Sequence, residues 1–148
     1  MRQALAGAAI IGGLMRIAGS FVPGDPQILY PATDIALLLG AAGLWLTRRG
    51  GIAGAIGIGV FVAGILAIRF GFYAIGAPVA LIGLVVWSIE ALFKGARAAP
   101  VLWIAALIAG PFSVVAAGVL FGLGFVAAGV SMFYGWPQSA QTATSTVT

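Results

Sequence analysis

The chain has 148 residues, of which 62% are hydrophobic and 7% charged, with a net charge of +4. Seven basic and three acidic side chains cannot clothe a soluble domain of this size, so most of its surface is expected to face lipid. With no cysteine and no histidine, the chain can build no disulfide, thiolate nucleophile, His or Cys metal site, or Ser-His-Asp triad.

The pI near 10.4 does not indicate a nucleic-acid binder, because the basic residues are scattered among apolar runs and form no stripe with interleaved aromatics. The expected fold is all-α, a polytopic transmembrane helix bundle forming a single domain over 1–136. The first apolar segment, 4–22, has some features of a secretory signal. Arg16 stands where a cleavage region should be small and neutral, so a retained helix is expected. A turn at PGDPQ (23–27) leads to a second segment, 31–47. The polar connector TRRGG (47–51) precedes a third, 52–73, and a fourth covers 77–94. After KGARAAP (94–100) comes one long apolar stretch, 100–134. Pro31, Pro78 and Pro100 fall where each helix should begin, in a first turn that needs no N–H.

The last stretch would make a helix of ~52 Å, against a hydrocarbon core of ~30 Å. With no polar turn inside it, a single helix bent at Pro111 is the favoured reading, which gives five spans. A hairpin giving six is the alternative. The polar tail 137–148 has no apolar periodicity and reads as disordered.

Sidedness follows from the basic residues. Arg2, Arg48, Arg49, Lys94 and Arg97 fall on one side, which is expected to be cytoplasmic together with the N-terminus, while Asp25 falls on the other. Trp45 and Trp103 would form an inner aromatic belt, and Tyr30 and Tyr73 an outer one. The expected location is a cell (inner) membrane, crossed several times.

Three charges lie at shallow depth beneath the outer surface: Arg16, Asp34 and Arg69. Arg16 is the deepest of them, so Asp34 is expected to neutralise it. Arg69 can then extend to headgroup phosphates or an anionic ligand. This outer polar cluster is the candidate site, structural or ligand-binding. Near the inner surface Glu90 precedes Lys94 at the i,i+4 spacing that suits an ion pair.

Small residues on the third helix (Gly50, Gly54, Gly57, Gly59) suit close packing inside the bundle. Gly118, Gly122 and Gly129 on one face of the last helix suit either internal packing or self-association, which makes that helix the better candidate for an oligomer face. GIAGAIGIG (51–59) lacks the lysine and the preceding strand of a phosphate loop. Ser88 and Ser113 are expected to bond their own helix backbones. Two short stretches, 14–24 and 67–78, share an arginine followed by small and aromatic residues and a proline. These residue types are common at the ends of membrane helices and Asp34 has no counterpart after the second, so a chance likeness is favoured over a parallel repeat. An intramembrane glutamate in a small protein is similar to the small multidrug transporters, but those carry theirs in the first helix. The first segment here holds Arg16 and no acid.

A non-catalytic membrane protein is expected, acting as a structural, subunit or lipid-interacting component. A small transporter or channel using the outer Arg/Asp cluster is the alternative. Three acids, one of them in a loop, leave little general acid–base machinery for an enzyme. No metal or cofactor is called for. The expected partners are membrane lipids and a second copy or a partner membrane subunit, and not nucleic acid.

Overall fold

The computed structural model describes residues 1–22, 29–47 and 51–135, with the side chains of residues 29 and 30 excepted. The expected turn at 23–27, the basic pair Arg48 and Arg49, the side chain of Tyr30 and the tail 137–148 lie outside the described residues. The described residues form six helices and no strand: α1 (Arg2–Phe21), α2 (Leu29–Leu46), α3 (Gly51–Arg69), α4 (Tyr73–Phe93), α5 (Ala98–Ala109) and α6 (Val114–Tyr134). Four of them, α1, α3, α4 and α6, are long and apolar enough to cross a membrane; α2 and α5 contribute shorter apolar stretches.

Each turn has a local cause. After α3, Gly71 adopts φ 91°, a left-handed conformation that costs glycine nothing. Around it the Phe72 N–H reaches back to the Ala67 carbonyl and the Gly71 N–H to Ile68, which closes the helix end. Gly95 (φ 88°) ends α4 in the same way, with the Ala96 N–H donating to the Ala91 carbonyl. The expected third segment, 52–73, therefore stops at Arg69, and Tyr73 opens α4. Pro78 then lies inside α4 and not in its first turn, so the Ala74 carbonyl has no N–H to receive one turn on.

The stretch 100–134 is not one bent helix. It folds as the hairpin of α5 and α6, packed against each other. Pro111 has no N–H for the Leu107 carbonyl, and the extended Ser113 caps the new helix, its hydroxyl accepting from the Ala116 N–H at 3.2 Å. Proline and a serine cap suffice for a sharp reversal without charge or a run of polar residues.

The main contacts pair α3 with α4, α1 with α6 and α2, and α5 with α6 and α4, while α2 touches α3 and α6 only lightly. Glycine makes the closest approaches possible. A Cβ on Gly57 or Gly83 would run into the other helix's backbone, and the same holds between Gly13 of α1 and Gly122 of α6. Such contacts supply dispersion where lipid offers no hydrophobic drive for association. Gly118, Gly122 and Gly129 are consequently buried against α1, which removes them as an oligomer face. Trp103 likewise leaves the expected interfacial belt. It is fully buried, its indole N–H donating to the Phe121 carbonyl at 3.2 Å over Gly124. Trp45 is half exposed, as a belt residue should be.

Candidate functional site: an apolar cavity with a charged rim

Between the helix ends lies a cavity of about 480 Å³, inside the ~300–1,000 Å³ range usual for small-molecule sites. All six helices contribute, through residues such as Arg16, Asp34, Ile65, Leu81, Leu107 and Phe121. These positions are the C-terminal ends of α1, α3 and α5 and the N-terminal ends of α2, α4 and α6. Successive helices therefore alternate in direction, and the cavity occupies one end of the bundle. It exists because much of its wall is small: Ala74, Ala77 and Ala80 on α4, with Ala117 and Gly118 on α6. Larger side chains there would fill the space.

The cavity has a floor. Leu37, Leu81 and Phe121 stand seven or eight residues in from their helix ends, ~10–12 Å down at 1.5 Å per residue. Immediately below, Phe121 packs on Phe125 with ring centroids 5.4 Å apart, and Phe61 on Phe125 at 5.7 Å. Trp103 meets Phe125 edge-on at 5.3 Å and Trp87 at 5.8 Å. Phe61, Trp103 and Phe125 have no exposed surface at all. This aromatic layer lies between the cavity-lining residues and the opposite end of the bundle.

The rim carries the charges that the sequence singles out, in a different pairing from the expected one. Asp34 Oδ2 lies 3.8 Å from Arg69 Nε, bridging α2 and α3 where those helices otherwise barely touch. Arg16 instead turns toward α4, donating from Nη2 to the Tyr73 hydroxyl at 3.3 Å. The reason lies in the packing. α1 beds against α6, where Gly118 leaves room beside the Arg16 guanidinium, while Arg69 is the last residue of α3 and can bend back to its neighbour. Ser20 bonds back to the Arg16 carbonyl at 3.0 Å, holding the local backbone. Thr33, also on the cavity wall, is buried. Tyr73 was legible in the sequence only as a belt residue; nothing in its neighbours announces a partner 57 positions away.

At the other end of the bundle Glu90 and Lys94 pair at 3.4 Å. The Glu90 carboxylate also lies against Gly51, the first residue of α3, where a Cβ would collide with it. It thus sits at the positive end of that helix's dipole. Ser88 donates to the Leu84 carbonyl of its own helix at 2.7 Å. Asp34 and Glu90 are therefore separated by the depth of the bundle, and among the described residues no three acids gather in one place. Comparison with protein-family models, with curated proteins and with solved structures finds no match for this chain.

Proposed function

We propose that the chain is a non-catalytic, multi-pass protein of a cell membrane that holds a lipid-derived molecule in this cavity. Apolar helices long enough to cross a membrane support the membrane location. The described basic residues support the orientation: Arg2, Lys94 and Arg97 flank helix ends opposite the cavity. In this reading the N-terminus is cytoplasmic and the cavity opens toward the outer leaflet. Six helices of alternating direction return the end of α6 to the cytoplasmic side. α5, at ~18 Å, crosses only as part of its hairpin with α6.

One observation carries the functional reading: an apolar cavity, charged at its rim and shut below by fully buried aromatic rings. A site of that form suits an apolar molecule that enters and leaves at the charged rim. The transporter alternative requires the rings of Phe61, Trp103, Phe121 and Phe125 to part in another conformation.

The test is native mass spectrometry of the protein released from mild detergent. A retained lipid or apolar small molecule is expected, and Ala117→Phe, which fills the cavity, should lose it while remaining folded. Equal retention by the filled variant would refute the cavity as the binding place.

A further inference from the structure

The cavity fixes the chemical class of its occupant as well as its location; this step rests on the ligand-holding reading above. We infer that it takes an amphiphile with one anionic group, a carboxylate or phosphate, held between the Arg16 guanidinium and the Tyr73 hydroxyl, with its apolar chain against Leu37, Leu81 and Phe121.

Charge comes first. Among the described charged side chains at this end, Asp34 is engaged by Arg69 at 3.8 Å, and those two cancel. Arg16 lines the cavity and contributes the remaining positive charge. A guanidinium carries five donors in a planar fork suited to two oxygens of one anion, and its side-chain bond here goes to Tyr73. That hydroxyl accepts from Arg16, so its own proton remains available to a second oxygen of the same ligand. The two groups together form a convergent pair of donors facing an apolar space.

Competing head groups fit less well. A cation would have to draw Asp34 away from Arg69 and lie beside Arg16. A neutral alcohol could accept a hydrogen bond from the guanidinium but brings no charge to balance it, five residues inside the end of α1 and ~8 Å below it. Asp34 does stand on the same wall and would repel an anion, but Arg69 offsets it, and among the described residues two guanidinium groups against one carboxylate leave the rim positive.

The experiment uses the full chain in phosphatidylcholine nanodiscs, with empty discs subtracted, and measures equilibrium binding of four radiolabelled probes sharing one chain length. These are dodecanoate, dodecyl phosphate, dodecanol and dodecyltrimethylammonium. At least one of the anions should bind about ten- to a hundred-fold more tightly than dodecanol, the range expected of a hydrogen-bonded charge. Arg16→Gln should reduce the anions to the level of dodecanol and leave dodecanol unchanged. Arg16→Lys should keep part of the preference, and Tyr73→Phe should weaken the anions alone. If Arg16→Gln does not fold, the last two variants still decide. Competition by phosphatidylglycerol added to the discs identifies a lipid headgroup as the anion's source, and its absence a free amphiphile; each is consistent with the shared chemistry. Equal binding of dodecanol and the anions, or tightest binding of the trimethylammonium probe, overturns the anionic assignment while leaving the cavity reading intact. Binding of no probe above the level of Ala117→Phe overturns both.

Discussion

Arg16 and Tyr73, 57 residues apart in the chain, meet at the cavity rim with the guanidinium 3.3 Å from the hydroxyl. That contact ties the end of α1 to the start of α4 and releases Asp34 to a different arginine. The rim is therefore two polar pairs, Arg16 with Tyr73 and Asp34 with Arg69, and each pair joins two helices.

The pairing has a direct energetic consequence. In a double-mutant cycle followed by thermal unfolding in detergent, Asp34→Asn and Arg69→Gln should couple by about 0.5–1 kcal/mol, since Arg69 is half exposed and the ion pair is partly screened. Asp34→Asn and Arg16→Gln should combine closer to additively. Stronger coupling of Asp34 to Arg16 than to Arg69 would contradict the observed geometry.

The glycines of α3 and α4 should separate into two classes. An added methyl at Gly83 meets the backbone of Gly57 and Phe61, neither of which can yield without moving a helix. Gly83→Ala should destabilise the bundle by about 1–3 kcal/mol, the cost of overpacking. Gly59 has open space around it on an exposed face. Gly59→Ala should be neutral or stabilise the helix by up to ~1 kcal/mol through reduced backbone freedom in the unfolded chain. Comparable melting temperatures for the two variants would mean that α3 and α4 do not approach this closely.

Glu90 has two roles at the far end of the bundle, and both can be weighed. Its i,i+4 pair with Lys94 contributes about 0.2–0.5 kcal/mol, and its place at the start of α3 adds about 0.3–1 kcal/mol of dipole stabilisation. Glu90→Gln should therefore lower stability by roughly 0.5–1.5 kcal/mol. Any substitution at Gly51 should also disturb the carboxylate, because φ 53° disfavours a side chain and Glu90 occupies the space. An unchanged melting temperature for Glu90→Gln would show that neither contact contributes.

Orientation can be read by labelling introduced cysteines with an impermeant reagent in intact cells. Phe72→Cys, in the turn at the cavity end, should be labelled, and Arg97→Cys at the opposite end should be protected. Ser139→Cys reports the number of crossings. Protection from outside agrees with six helices that cross, and labelling from outside would restore an odd number.

The sequence by itself determined the apolar character and the helical building material of this protein. Hydropathy and composition are properties of consecutive residues, so the helical class and most of the segment boundaries could be read to within a few positions, from 4–22 as α1 to 77–94 as α4. The i,i+4 pair of Glu90 and Lys94 was legible for the same reason, since one helix fixes both partners. What depends on the rotation of one helix against another was not legible. α2 through α6 are apolar on every side, so no amphipathic stripe announces which face is buried, and Gly118, Gly122 and Gly129 suit a second copy as well as they suit α1. The hairpin at Pro111 escaped the linear reading because its cap is a single serine in an apolar run, effective only once the chain has turned. Depth along a helix correctly gathered Arg16, Asp34 and Arg69 at one end, but azimuth chose their partners. Only the assembled bundle could turn Arg16 toward Tyr73, bring Asp34 to Arg69, and leave between them a space that small side chains on α4 and α6 do not fill.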